Sequence, residues 1–267
     1  MPTLLIDSCP EGIHYKLHAA PDSGAAPPLV LVHGAGGSLM HWPGDLRRLP
    51  GRTVVALDLP GHGHSGGAAG PTDGDVPRDI GAYAQVVVEF AKGLSLPRFV
   101  LAGHSMGGAI AVETALRHPE ILAGLILAAT GAKLAVAPEL LSAMRGDWES
   151  VVQILAGWSQ GMQTDPKTTR IYLQRLSELD PEVVYRDYAA CNAWDRTAQL
   201  GKITLPTLVI CGDADRMTPV EQSLDLQRRI KTARLVIVPG AGHMVMLEQP
   251  DLVAGAVHRF MTDLTPG

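Results

Sequence analysis

Residues Val100–Glu120 read VLAGHSMGGAIAVETALRHPE. An apolar run, RFVLA, passes into a helix-forming segment, GAIAVETALRH, through Gly103, His104, Ser105, Met106 and Gly107. Glycines on both sides of one serine allow a turn too sharp for residues carrying a Cβ, and they let the helix lie close against the strand. A serine at such a turn presents its hydroxyl at the carboxyl edge of a sheet. A glycine-rich turn with an incidental serine is written with the same five letters, so the rest of the chain has to separate nucleophile from bystander.

Outward from this turn, short runs rich in Val, Ile and Leu recur, each closed by a glycine-containing turn: PLVLVHG, TVVALDLPG, LAGLILAAT, PTLVICGDAD and ARLVIVPGAGH. Helical patterns lie between them. Strands covered on both faces read as continuous apolar runs, so the alternation predicts an α/β fold with a mostly parallel central sheet flanked by helices. TLLID and IHYKLHA near the N-terminus are expected to add an antiparallel edge pair. The rhythm breaks between Gly131 and Lys202, where the pattern reads as helical throughout. DPKTTRIYLQRLSEL and DPEVVYRDYAACNAWD each open with Asp then Pro, an N-cap followed by the residue favoured at the first helical position. The expected organisation is a core of 1–130 and 203–267 with a helical cap, 131–202, inserted in it. That insertion carries Trp148, Trp158, Trp194, Tyr172, Tyr185 and Tyr188, half of the chain's twelve aromatics, which suit either lining a pocket or packing a lid onto the sheet.

A serine hydroxyl becomes a nucleophile when a base lies in hydrogen-bond reach and a third group orients that base. CGDADRMTP follows the strand TLVI, and GAGHMVMLEQP follows RLVIV, so an acid and a histidine both fall at strand ends on the edge that carries Ser105. His243 is the expected base. Asp213 and Asp215 are both candidates for the acid, and a glycine-rich turn, HGAGG, ends the strand LVLV on the same edge.

From about Leu29 onward, through HGAGG, DLPGHGHS, GHSMGG, GDAD...TP and GAGH...EQP, the chain resembles the α/β-hydrolase family. The resemblance implies a triad of Ser105, Asp215 and His243, with Asp213 left as a turn residue. It also implies an oxyanion hole made by the backbone N–H groups of Ala35 and Met106, with His33 holding the HGAGG turn. Relatives that put a carboxylate at the serine position, the haloalkane dehalogenases and epoxide hydrolases, are excluded by Ser105. What remains is attack on an acyl carbon. A carboxylic ester hydrolase acting on a small apolar ester leads, with carbon–carbon hydrolysis, lactonase and perhydrolase chemistry as alternatives that use the same triad. A proline iminopeptidase is disfavoured, since those relatives carry Trp where this chain has Met106. A catalytically silent ligand-binding relative is the alternative outside enzymes. Gly34, Met144, Trp158 and Met244 are the expected pocket residues.

Other readings are weaker. GHGHSG, Gly61–Gly66, matches G-x-G-x-x-G after a strand, but GAAGPTDGDVP follows where a dinucleotide site needs a helix at once. His62 and His64 lack the carboxylate or thiolate companions of a metal site and are expected to be solvated or loop-packing, so no metal and no cofactor is implied. Cys9, Cys191 and Cys211 are odd in number and widely spaced, unlike a disulfide framework or zinc site. A net charge of -5 advertises neither nucleic acid nor an anionic membrane as partner. The opening MPTLLIDSCPEG has neither the basic start of a signal peptide nor the length of a membrane span, so a cytoplasmic protein with a small-molecule substrate is expected. No feature of the sequence points to an oligomeric state.

Overall fold

Leu29–Val32 (β3) and Val54–Leu57 (β4) are buried at every position. Their alternate residues feed two separate cores: Val30 and Val32 join one, Leu29 and Leu31 the other. This is the period of two of a strand covered on both faces. In the computed structural model, which describes residues 2–20, 26–67, 79–161 and 164–264, eight strands form one sheet. The others are β1 (Thr3–Ile6), β2 (Cys9–His18), β5 (Phe99–His104), β6 (Leu122–Ala128), β7 (Thr207–Gly212) and β8 (Ala233–Val238). Their order is β1-β2-β4-β3-β5-β6-β7-β8. The pairs β1/β2 and β2/β4 are antiparallel and every later pair is parallel. Strands β3, β5, β7 and β8 therefore end on one edge, which collects the loops that begin at His33, Ser105, Asp213 and Pro239.

Helices α1 (Gly44–Arg47), α2 (Ile80–Gly93) and α3 (Met106–Arg117) follow in the first half of the chain. The insertion holds α4 (Pro138–Gly146), α5 (Trp148–Ser159), α6 (Pro166–Ser177) and α7 (Pro181–Asn192). Helices α8 (Val220–Arg229), α9 (Val245–Glu248) and α10 (Pro250–Asp263) complete the chain. Helices α2, α3 and α8 bury Tyr83, Ile110 and Leu226 on one face of the sheet. Helices α1, α9 and α10 bury Leu46, Met246 and Phe260 on the other. The three layers give each apolar helix stripe a sheet face to cover.

Asp165 and Asp180 cap α6 and α7 as their Asp-Pro openings predict, each carboxylate accepting a first-turn amide, from Lys167 at 2.9 Å and Glu182 at 2.8 Å. The insertion is not helical throughout. Residues 131–137 and 193–199 lie outside α-helices, and Lys133 and Asp195 form an isolated antiparallel bridge. Between them the four helices enclose their own small core of Leu140, Met144, Val151, Leu155, Leu176 and Val184. Buried Glu113 of α3 ties this unit to the rest, accepting from Trp194 Nε1 at 3.0 Å and Arg196 Nε at 2.7 Å. Of the loop GAAGPTDGDVP, all but Gly67 lies outside the described residues. Among the described residues no helix is long and apolar enough to cross a membrane, and Cys9, Cys191 and Cys211 are buried, with no disulfide between them.

Candidate active site

Ser105 sits between β5 and α3 at φ 52° and ψ −116°, a conformation that side-chain-bearing residues rarely adopt and that costs on the order of 1–3 kcal/mol. The surroundings hold it there. Its N–H donates to Ala128 O at 2.9 Å, and its carbonyl accepts from Gly108 N at 2.8 Å and Thr130 Oγ1 at 2.8 Å. The flanking glycines are required by close approach: a Cβ on Gly103 would collide with the Gly107 carbonyl, and one on Gly107 would lie 2.5 Å from Val32 O.

His243 Nδ1 lies 2.9 Å from Asp215 Oδ2, and both residues are buried. Asp215 takes the remaining donors of its own turn, with Met217 N at 2.8 Å and Thr218 N at 2.9 Å on Oδ1, and Thr218 Oγ1 at 2.7 Å on Oδ2. Burial pushes the Asp215 carboxyl up, but His243 and the Thr218 donors outweigh it and hold its pKa below the usual value. The neighbouring Asp213 is turned elsewhere, accepting Gly240 N at 2.6 Å in an exposed turn. Behind the imidazole, His104 Nε2 reaches the His243 carbonyl at 2.9 Å. Burial first, then the proximity of His243, drives His104 well below its ordinary pKa, so its ring is neutral and Nε2 carries the donated proton. Glu248, from the EQP segment, accepts Gly242 N at 3.1 Å and Gly161 N at 2.8 Å, which ties the His243 loop to the end of α5.

The turn after β3 is the third component. His33 is buried, its Nε2 accepts Leu59 N at 3.0 Å and its Nδ1 donates to Gly34 O at 2.8 Å. Burial, then the His62 charge, holds it neutral, in line with that tautomer. Gly37 N also donates to Gly34 O, at 3.0 Å, and Gly36 N donates to Asp187 Oδ2 at 2.7 Å. The amides of Ala35 and Met106 donate to no acceptor among the described residues. Met106 opens α3, so its N–H is one of the helix's unsatisfied first donors.

Ser105, His243, Thr218 and Ala35 line one cavity of about 60 Å³ together with Leu134, Val136, Tyr188, Cys191, Met217 and Gln222. None of the four expected pocket residues is in that lining. Met144 is fully buried in the insertion's own core, and Trp158 is 41% exposed. Met244 is buried with its N–H on Ser159 O, and Gly34 lies beneath, its Cβ direction blocked by His104 Nδ1 and Ser105 Cβ. A helix rotates as a unit about its axis, and which stripe of the insertion faces the cavity is settled by packing rather than by composition. Of its six aromatics, Tyr188 lines the cavity, Trp194 anchors the insertion and Tyr185 stacks under Arg145. Sequence reasoning also missed the roles of Thr218, Asp187 and Glu248, although the TP after GDAD and the EQP after GAGH marked the first and the last. His62 is buried and bonded to Pro60 O and Asp187, not solvated.

A strained serine turn, a His–Asp pair and two open amides at the carboxyl edge of a mostly parallel sheet suit a hydrolase scaffold. The family model described as the alpha/beta hydrolase family matches residues 29–256, and the chain belongs to that family. Among similar curated proteins is a putative carbamate hydrolase, RutD, of Agrobacterium fabrum, 29% identical over 93% of this chain and 98% of that one. Another is a pimeloyl-[acyl-carrier protein] methyl ester esterase of Neisseria meningitidis, 30% identical over 87% of this chain and 93% of that one. A crystal structure of the enol-lactonase from Burkholderia xenovorans LB400 shares the fold with a TM-score of 0.86, at 24% identity over 98% of this chain and 100% of that one.

Proposed function

We propose that the chain is a serine hydrolase that cleaves small, largely apolar carboxylic esters through an acyl-enzyme. The observation that carries this reading is the shared cavity: Ser105 and a His243 already paired to buried Asp215 line the same space, beside the open Ala35 amide. Because Nδ1 is engaged by Asp215, Nε2 is the nitrogen left to take a proton. In the proposed reaction Nε2 removes the Ser105 proton as Oγ bonds to the ester carbon. The carbonyl oxygen gains the charge and receives the N–H groups of Ala35 and Met106. The imidazolium then protonates the departing alkoxide, leaving an acyl-serine and an alcohol. Water, deprotonated by the same nitrogen, attacks the acyl carbon, and the acid departs as Ser105 recovers its proton. Asp215 keeps Nδ1 protonated and stabilises the charged ring. Every proton moves through His243, so the scheme calls for no cofactor.

The cavity's volume of about 60 Å³ is far below the ~300–1,000 Å³ of sites for larger ligands, which favours a short acyl or alkyl group. In this reading α4–α7 act as the cap, since Tyr188 and Cys191 of α7 form part of the lining. A carbamate is a second reading, favoured by Gln222: its Oε1 is buried with no partner among the described residues, on a residue lining the cavity, an acceptor suited to a carbamate N–H. The test is a rate panel of p-nitrophenyl esters from acetate to octanoate, with an alkyl carbamate, a lactone and a β-diketone included. Rates that fall steeply beyond short chains support the ester reading. Absence of turnover, or no labelling of Ser105 by a fluorophosphonate, refutes it.

A further inference from the structure

We propose that Asp187, in the helical insertion, is a positioning residue for the acyl oxyanion: its carboxylate holds the turn after β3 so that the Ala35 N–H faces the Ser105 cavity. The inference rests on the serine-hydrolase reading and assigns to the insertion a part in it besides covering the site.

Asp187 lies mid-way along α7 and is 0% exposed. An ionised carboxylate at such a place is costly unless it is paired and hydrogen-bonded. Here three donors from three separate segments meet it: Gly36 N at 2.7 Å and His62 Nε2 at 2.8 Å on Oδ2, and Tyr83 OH at 2.7 Å on Oδ1. His62 Nδ1 faces Pro60 O at 3.0 Å, so both ring nitrogens confront acceptors and only the imidazolium satisfies both. The result is a buried ion pair that joins the insertion to the loop after β4. Burial pushes His62 down and Asp187 up, and in each the opposite charge more than reverses the effect.

Anchoring the insertion would need no contact with the oxyanion turn, since Glu113 does it through Trp194 and Arg196 alone. Asp187 instead bonds a backbone amide one residue beyond Ala35. The peptide whose N–H would receive the oxyanion, Gly34–Ala35, is held at its carbonyl by His33 Nδ1 and Gly37 N. The next peptide, Ala35–Gly36, is held at its N–H by Asp187. Gly36 has φ +58°, a conformation open to glycine in which neighbouring peptides reorient easily, so its amide is where a clamp is needed. With Gly36 N and Gly37 N both engaged, Ala35 N is the one amide of 35–37 left for a substrate oxygen.

The experiment measures kcat and KM for p-nitrophenyl acetate, together with the inhibition constant of an alkyl trifluoromethyl ketone, whose hemiketal oxygen with Ser105 mimics the oxyanion. Asp187→Ala is expected to lower kcat by about 10- to 100-fold, less than complete loss of a donor, with KM within about twofold. Its inhibition constant should rise by the factor by which kcat/KM falls. Asp187→Asn keeps an acceptor for Gly36 N and is expected between, about three- to tenfold down in kcat with a matched rise in inhibition constant, which carries the test if the alanine variant does not fold. Glu113→Gln, which loosens the insertion elsewhere, should lower thermal stability and leave kcat within about twofold. A loss confined to KM, a fall in kcat without weaker ketone binding, unchanged Asp187 variants, or an equal kcat loss in Glu113→Gln overturns the proposal. Failure of the hydrolase reading looks different: Ser105→Ala would retain turnover, whereas failure of this inference alone leaves Ser105→Ala inactive and the Asp187 variants active.

Discussion

Three buried histidine–aspartate pairs lie among the described residues, and in two of them, His243–Asp215 at 2.9 Å and His62–Asp187 at 2.8 Å, the chemistry diverges over a single nitrogen. His62 has both nitrogens engaged, by Pro60 O and Asp187, so it is held as a cation inside the protein. His243 has Nδ1 engaged and lines the cavity that holds Ser105. A histidine beside a carboxylate can cycle a proton only if its second nitrogen is open to a partner; with both occupied, the same pair is a fixed charge. His14–Asp58, at 2.7 Å, adds a condition: its Nε2 has no partner among the described residues, yet His14 is not among the residues lining the Ser105 cavity. An open nitrogen without a nucleophile leads nowhere.

The largest expected effects test the His243 side. Ser105→Ala should lower kcat with a p-nitrophenyl ester by about 10⁶-fold, and a residual rate near wild type would remove the nucleophile from the account. Asp215→Asn should cost about 10⁴-fold in kcat, because the ring loses its orienting acceptor. Asp213→Asn, which touches only Gly240 N, should stay within about threefold, and the reverse ranking would move the acid. On the other side, His62→Gln should cost about 3–5 kcal/mol of stability near pH 6, as an unpaired Asp187 remains buried. The sign with pH follows from the two directions. His62 is raised above its ordinary 6.5, so its contribution is complete below that value and fades as pH rises through the folded pKa. Asp187 is lowered below 3.8, so its contribution is present above that value and fades as pH falls through the folded pKa. Wild type should therefore see its margin over His62→Gln shrink as pH rises above 6.5 through the folded His62 pKa in chemical denaturation, with His33 and Asp58, which also face His62, unchanged in both proteins. A margin that grows with pH would show that His62 is neutral in the folded protein. A smaller loss of stability than that of His62→Gln belongs to Thr218→Val, which removes one donor from Asp215 Oδ2 and should lower stability by about 1.5–3 kcal/mol, with a several-fold fall in kcat.

Much of the scaffold is legible in the sequence. Six apolar runs became β3–β8 because residues covered on both faces have no need to alternate, and the N-terminal runs paired antiparallel at the edge as expected. Ser105 was readable because its conformation demands glycine on both sides, a requirement written directly into the chain. Asp187 was not. In PEVVYRDYAACN it is one acidic residue on a helix with other polar positions, and no local rule distinguishes a carboxylate that meets solvent from one that meets His62, 125 residues away. The pocket failed for the same reason: Met144 and Trp158 are apolar residues of the right type, but one faces the insertion's core and the other solvent.

The sequence alone determined the α/β architecture, the strand ends that carry Ser105, the two candidate acids and His243, and the helical character of most of the insertion. These are properties of periodicity and of backbone sterics, which act between near neighbours. Tertiary structure places Asp215, the acid the family resemblance implied, rather than Asp213 against His243, and it alone decided which residues wall the cavity and that a carboxylate from the insertion reaches the Gly36 amide. Those outcomes depend on how helices rotate and dock against the sheet, and the energy that sets them comes from burial and from hydrogen bonds between segments far apart in the chain.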